Sequence, residues 1–177
     1  MQLRDLTKEK HKEAENHRFV KYLFAGSMTT EVYSDYLYNQ HIAYKALEQR
    51  AEDYGLLEGI EKIKRVDKIL KDFQELGAEK QPTIYVSTMM YDNYIKKLPK
   101  KSIIAHLYVR HFGDMFGGQM MKKLVPGSGS MYEFEDKNML INNIRSKLSL
   151  DMADEANVVF DFAIKLFEDL ANEYDIQ

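Results

Sequence analysis

The chain has 177 residues, of which 45% are hydrophobic and 30% charged, and this size suits one globular domain with its own core. Its formal net charge is -3, which argues against a protein that binds nucleic acid by neutralising phosphates. It has no cysteine, which excludes disulfides, thiolate metal sites and cysteine nucleophiles, and without a signal peptide or membrane span we expect a soluble, cytoplasmic protein.

Helical periodicity begins at the N-terminus, where apolar residues recur at steps of three and four. The spacing predicts a first helix over 2–16, followed by a short apolar turn that ends at Gly26. Thr29 and Thr30 offer an N-cap for a long, tyrosine-rich helix that closes before Gly55.

The remainder of the chain shows the same periodicity between clear stop signals. It predicts five further helices, over 57–76, 82–97, 102–124, 137–149 and 151–174. The sequence TIYVST in the second of these could form a short strand, but it continues directly into helical sequence. The predicted fold class is therefore all-α, a single domain over 1–177 built as a bundle of about eight helices.

Metal and cofactor sites in helical bundles are built from side chains on facing helices, so the five histidines are the first candidates. None has a glutamate three residues before it, which excludes the Glu-x-x-His motif of di-iron bundles. The chain also lacks HExxH, GxxxxGK[ST] and GxSxG, the signatures of zinc proteases, P-loop proteins and α/β hydrolases. Isolated histidines remain, and one imidazole is a normal ligand for haem iron in a flat, apolar slot.

The segment 110–123, RHFGDMFGGQMMKK, places three glycines between flanks that favour helix. Each interior glycine destabilises a helix by about 1 kcal/mol relative to alanine. Gly113, Gly117 and Gly118 either relieve a crowded or kinked helix, or let the backbone approach a flat ligand. The residues alone leave both readings open. Asp114 would organise water beside a cavity, but on a solvated face it would have no such role.

Four segments resemble haem oxygenases of the plant, animal and cyanobacterial type: TKEKHKEAEN, YKALEQR, HLYVRHFGDMFGGQMMKKL and IKLFEDL, in this order. The third resembles the family's distal-helix pattern GDLSGGQ, and the histidine of the first resembles its proximal helix. The likeness covers nearly the whole chain. It implies an all-α fold that clamps haem between a proximal helix and a glycine-kinked distal helix. It also implies haem oxygenase activity, in which oxygen and electrons open the haem ring at a meso carbon, the alpha position, to give biliverdin, ferrous iron and carbon monoxide.

The resemblance assigns roles around the haem iron. His11 matches the proximal ligand, and Glu15 is a carboxylate that would orient its ring. Asp114 matches the distal aspartate that holds water at the bound oxygen. Three further residues match positions that support this water network: Tyr44, Tyr108 and Arg110. Alone, each tyrosine is equally explained as part of the core, and the His–Glu pair as a surface contact.

The same resemblance describes how haem, as substrate and cofactor, would be held. Gly113, Gly117 and Gly118 would lie against its face. Arg4, Lys8 and Arg145 match or lie near the positions that bind its carboxylates. For the residues near the N-terminus, the ordinary alternative is a solvated helix face.

Three positions depart from the family's pattern. Met115 and Phe116 replace Leu-Ser, and Ile141 stands where a lysine is expected. These changes bear on pocket shape and on which meso carbon opens. They keep open an alternative, a haem-binding carrier or sensor without turnover. A non-haem helical enzyme of the thiamin-salvage type is a third reading, but it would need a catalytic cysteine.

Haem oxygenase chemistry needs molecular oxygen and an electron donor, for which we expect a ferredoxin. Five lysines could form a basic rim that attracts such an acidic partner: Lys8, Lys10, Lys12, Lys122 and Lys123. A bilin reductase is a further expected partner, whereas nucleic acid and membranes are not. Whether the biliverdin serves pigment synthesis or iron release does not follow from the residues.

Overall fold

All regular structure in the computed structural model, which describes residues 1–177, is helical, and this confirms the all-α prediction. The nine α-helices are α1 (Leu3–Leu6), α2 (Lys8–Glu15), α3 (Arg18–Phe24), α4 (Thr30–Asp53), α5 (Val66–Leu76), α6 (Val86–Ile95), α7 (Lys100–Leu124), α8 (Lys137–Arg145) and α9 (Ala153–Glu173). Three short 3-10 turns lie between them, at Glu61–Ile63, Ser130–Tyr132 and Leu150–Met152. None of the helices has both the length and the apolar character that a membrane span requires.

The three longest helices, α4, α7 and α9, form the centre of the bundle. Helix α4 packs against α5, α6 and α7, and α9 packs against α7, α6, α2 and α3. Helices α2 and α7 therefore share α9 as a common support, and neither packs extensively on the other. The sequence predicts a bound ligand between these two helices.

The first predicted helix is divided in the structure at Thr7. Its hydroxyl donates to the carbonyls of Leu3 and Arg4, each at 3.3 Å, and this local bonding competes with a continuous helix. The segment predicted as an apolar turn is instead helix α3. The His17 ring caps α3 by accepting a hydrogen bond from the Phe19 N–H at 3.1 Å. Helix α2 is therefore a short separate element.

The helix predicted over 57–76 is wrong in its first half. Leu57, Ile60 and Ile63 are buried as expected, but they lie in turns and a 3-10 segment. Their spacing of three residues fits a 3-10 turn as well as one face of an α-helix. Gly59, with a φ of 80°, adopts a left-handed conformation that interrupts helical structure.

The helix predicted over 82–97 begins later than expected. Side chains of α4 bond to the backbone at this point and hold it extended. Asp35 accepts from the Thr83 N–H at 3.0 Å, and Asn39 accepts from the Tyr85 N–H at 3.1 Å. Because these backbone groups have partners on another helix, they are not available for the first turn of α6.

The long helices lie close to their predicted positions, and their ends carry the expected signals. Thr29 caps α4 by accepting a hydrogen bond from the Val32 N–H at 3.2 Å. Gly77 ends α5 in a left-handed conformation. Helix α7 stays helical through all three of its glycines.

A buried carboxylate fixes the 3-10 turn Ser130–Tyr132 to α5. Asp72 accepts from the N–H groups of Ser130 at 3.0 Å and Met131 at 2.8 Å, and also from the Ser130 hydroxyl. The turn carries Tyr132, which packs against α7 at Gly118. Asp72 therefore supports one side of the glycine-rich helix.

The Asp72→Ala substitution should lower the free energy of unfolding by roughly 2–4 kcal/mol, because two buried N–H groups lose their acceptor. Glu75→Ala is the matched control on the same helix, since Glu75 bonds to Ser128 at the exposed surface. We expect it to cost less than about 1 kcal/mol. Urea unfolding followed by circular dichroism measures both, and equal losses would contradict this account.

Candidate functional site

One face of α7 carries almost no side-chain bulk near its middle. Gly113 and Gly117 are exposed and four residues apart, so they share this face. A Cβ atom added at either position would meet no atom within 4 Å. Phe116 and Met120 border the glycines and are 61% and 60% exposed. The face is therefore a strip of bare backbone with large apolar side chains at its edge.

The third glycine serves a different purpose. Gly118 is buried, and a Cβ there would lie 3.1 Å from Cβ of Tyr132. This distance is tighter than ordinary van der Waals contact. Helix packing thus gives Gly118 a sufficient reason to be glycine, and its predicted contact with haem stays a prediction.

His11 lies on α2, which shares α9 as a support with α7. Its side chain is 56% exposed, and its Nε2 lies 3.3 Å from Oε1 of Glu15, one turn later. The imidazole also meets Phe160 of α9 edge to face, with ring centroids 5.6 Å apart. His11 is therefore braced by two neighbours while remaining open to a ligand.

Asp114 stands where the bare face of α7 meets the interior. The Tyr44 hydroxyl donates to its carboxylate and is 3.3 Å from the carbonyl oxygen of Arg110. Burial raises the pKa of Asp114 to about 6. The hydrogen bond from Tyr44 acts in the opposite direction, because it favours the charged form of the carboxyl group. A carboxyl group poised this close to neutral pH can take up and release a proton.

Arg110 is held by residues that the sequence reasoning missed. Its Nε donates to the Tyr91 hydroxyl at 2.9 Å, and one terminal nitrogen donates to Gln40 at 3.3 Å. The Tyr91 hydroxyl in turn bonds to the buried His106 at 2.8 Å, and His106 bonds to Glu155 at 2.7 Å. The sequence carried a signal for these residues, because each is polar or amphipathic and lies on an otherwise apolar helix face.

Tyr108 is not part of this hydrogen-bonded group. It lies half-buried and edge-on to Phe112, with ring centroids 5.3 Å apart, and burial raises its pKa. Arg4 and Arg145 both lie near enough to oppose that rise. Its predicted role at the distal water network stays a prediction, and the structure places it beside the basic residues instead.

The basic residues predicted to bind carboxylates are exposed. Arg145 projects from the end of α8, with its guanidinium 5.9 Å from the ring centroid of Phe112 and 6.0 Å from that of Phe116. Arg4 and Lys8 are exposed near the N-terminus. Ile141, where a lysine was expected, is a buried core residue of α8. Two arginines thus border the same end of the α7 face.

Comparison with known proteins identifies the family. A family model described as "Heme oxygenase" matches residues 1–169. The chain belongs to the haem oxygenase family. A heme oxygenase of Rhodella violacea is 31% identical to it, over 98% of this chain and 87% of its own. The known activity of haem oxygenases is the oxidative cleavage of haem to biliverdin.

Solved haem oxygenase structures share the fold. The structure of heme oxygenase from Leptospira interrogans superposes with a TM-score of 0.81 at 28% identity, covering 94% of this chain and 97% of that one. Heme oxygenase-2 from Synechocystis sp. PCC 6803, solved in complex with heme and NO, gives a TM-score of 0.82 at 25% identity, with coverage of 96% and 84%.

The residues of this haem oxygenase suit a haem group. A flat ring can lie against a helix only where side chains are absent, and the strip at Gly113 and Gly117 provides such a place. The imidazole of His11 on α2 is 56% exposed and can take a ligand. The bare strip and an accessible imidazole are the two features that a haem site requires.

Alanine substitutions should separate the two kinds of glycine. Gly113→Ala and Gly117→Ala should each raise the free energy of unfolding of the ligand-free protein by about 0.5–1 kcal/mol, because alanine favours helix and meets no neighbour. Gly118→Ala should show no such gain, since its methyl group presses on Tyr132. Thermal and urea unfolding of the three variants test this, and a uniform response would refute it.

Proposed function

We propose that this chain binds one haem between α2 and α7 and opens its ring to biliverdin, with haem as both substrate and oxygen-binding group. The observation that supports this most strongly is the bare strip at Gly113 and Gly117 directly beside Asp114. A ligand that rests on this strip has the helix backbone against it. It also has one proton-carrying side chain within reach of its face.

His11 would hold the iron from the α2 side. Its contact with Glu15 restricts the rotation of the imidazole and, when the ring N–H donates to the carboxylate, makes the imidazole a better ligand. Phe160 limits the tilt of the ring from α9. When bound, haem supplies the iron at which oxygen is activated.

Asp114 accepts and donates protons on the α7 side. With a pKa near 6, its carboxyl group can accept or donate a proton through water at neutral pH. The Tyr44 hydroxyl fixes the orientation of the carboxylate. Because Gly113 has no side chain, this stretch of backbone would place no stronger acid or base over a bound haem, whose ring would then be the group open to oxidation.

The basic residues at one end of the slot would hold the carboxylates of a bound haem. Arg145 and Arg4 border that end, and Lys8 lies one turn before His11. These contacts fix the rotation of the ring about the iron and hence the meso carbon that opens, which we propose is the alpha carbon. Phe116, at the edge of the strip, would pack against the ring plane.

Substitutions at His11 and Asp114 test the two halves of the site. Absorption titration of the wild-type protein with hemin should give a saturable Soret band at one equivalent. His11→Ala should weaken or change that band, because the iron loses its ligand.

Asp114→Asn should keep the band but slow ring opening under reductant and oxygen by about 100-fold, because proton transfer is lost. Gly117→Ala should weaken hemin binding, since a methyl group enters the slot.

His41→Ala is the matched control for His11→Ala, because His41 lies on α4 among Lys45 and Asp67. It should leave hemin binding and ring opening unchanged. A Soret band in the wild type that never decays under competent reduction would indicate a haem carrier or sensor. The absence of a saturable Soret band would overturn the proposal.

We propose a ferredoxin as the electron donor, with its acidic surface docked at the edge of the slot. Lys12 is exposed beside His11, and Lys123 continues the exposed face of Phe116 and Met120. The remaining lysines of the predicted rim are less suitable or have another role. Lys10 bonds to Asp161 at 2.7 Å, Lys122 is paired with Glu133, and Lys8 is assigned to the haem carboxylates. A bilin reductase that consumes the product belongs to the same proposal.

Charge reversal tests the docking surface. The double variant Lys12→Glu, Lys123→Glu should reduce turnover driven by a reduced ferredoxin, with a higher KM for the donor, because the encounter loses its attraction. Hemin binding and turnover driven by a chemical reductant should be retained. The double variant Lys97→Glu, Lys100→Glu, at the opposite end of α7 from Lys123, is the charge-matched control. Unchanged ferredoxin-driven turnover in the double variant would refute the proposed surface.

A further inference from the structure

A buried ion pair lies directly behind the proposed distal site and has no part in the function described so far. His111 of α7 and Glu48 of α4 are 0% and 1% exposed, and His111 Nε2 lies 2.8 Å from Glu48 Oε2. Glu48 also accepts hydrogen bonds from the backbone N–H groups of Arg65 at 2.7 Å and Val66 at 3.2 Å. Burying such polar groups is costly, and well-packed apolar residues of similar volume often give an equally stable fold.

The geometry connects this pair to the distal carboxyl group. His111 precedes Asp114 by three residues in α7, so the two side chains lie on neighbouring positions of one helix face. Tyr44 touches both of them. Its ring meets the His111 ring edge to face at 5.1 Å, and its hydroxyl donates to the Asp114 carboxylate. The three side chains form a continuous buried group.

The second nitrogen of His111 has no protein partner. Nδ1 is buried and makes no hydrogen bond, whereas Nε2 is committed to Glu48. Glutamine or tyrosine at this position could also donate to Glu48. Histidine differs from both because its side chain can carry a positive charge. The choice of residue therefore allows a cation at a hydrogen bond that neutral residues could also make.

The other charged and titratable groups around Asp114 come from each neighbouring element. They are Tyr33, Tyr36, Tyr44 and Glu48 of α4, Arg65 before α5, Arg110 and His111 of α7, and Tyr132 of the 3-10 turn. The two arginines are positively charged and the tyrosines are neutral. Glu48 is already bonded to backbone and imidazole, and His111 is the one histidine among these groups.

We propose that His111, held by Glu48, is a positioning residue that sets the charge of the Asp114 carboxyl group and thereby the pH range of ring opening. A positive charge on this imidazole favours the Asp114 carboxylate by direct attraction and so acts against the effect of burial. Burial raises the pKa of Asp114, and a positive His111 opposes that rise, in agreement with this assignment. The inference rests on the proposed function of Asp114.

The test uses His111→Gln, which keeps an N–H donor toward Glu48 and removes the imidazole. The pKa of Asp114 is measured in the haem-free protein by 13C NMR of its carboxyl group, with Asp114→Asn to assign the signal. We expect the pKa to rise by about one unit, because a nearby positive charge is lost. His41→Gln, which removes a histidine elsewhere on α4, should leave the Asp114 signal unchanged.

If His111→Gln does not fold, His111→Tyr offers another neutral donor to Glu48 and carries the same expectation. An Asp114 pKa that is the same in wild type and variant would overturn the inference. In the haem-loaded protein, the acid limb of the turnover profile should move to higher pH in parallel. A lower rate with an unmoved profile would mean that His111 is only structural. Because the NMR measurement needs no haem, it stands even if the proposed activity fails.

Discussion

Helix α7 can meet a flat ligand with its backbone only if one of its faces is free of side chains, and every other feature of the site follows from this constraint. Gly113 and Gly117 free that face within a helix of 25 residues. Two interior glycines destabilise a helix by about 2 kcal/mol. Packing on α4, α8 and α9 offsets this loss, because the remaining faces of α7 are committed to the core. Met115 is buried there, and Gly118 lies against Tyr132.

The boundary between the bare face and the interior determines the chemistry of the site. Asp114 lies on that boundary, where burial raises its pKa and Tyr44 fixes its carboxylate. Behind it, polar side chains from four helices form two buried groups. One runs from Arg110 through Tyr91 to His106, and the other joins Tyr44 to the His111 pair. These groups hold the distal helix in place, so the carboxyl group keeps its position relative to the strip.

Periodicity predicted the long helices well, because each buries a continuous apolar stripe. It could not separate a helix from the 3-10 and turn structure at Leu57, Ile60 and Ile63, since a spacing of three suits both. Periodicity also could not predict the extended backbone that precedes α6. Its backbone partners lie on α4, and Tyr85 is 46 residues away from Asn39 in the chain.

At the site, too, local sequence motifs pointed to single residues, whereas contacts between residues distant in the chain could not be predicted. The family resemblance proposed His11, Asp114 and Tyr44, and the last two are in contact. It treated the three glycines alike, although packing against Tyr132 distinguishes Gly118 from the other two. The histidines appeared isolated because their partners are distant in sequence. Glu48 is 63 residues from His111.

Product analysis tests the central claim most directly. The pure protein would be mixed with one equivalent of hemin, reductant and air, and the extracted pigment identified by mass and by comparison with the biliverdin isomers. The account predicts one open-chain biliverdin, the alpha isomer, formed in proportion to the protein-bound hemin. Recovery of intact haem after sustained reduction in oxygen would contradict the claim that this site opens the ring.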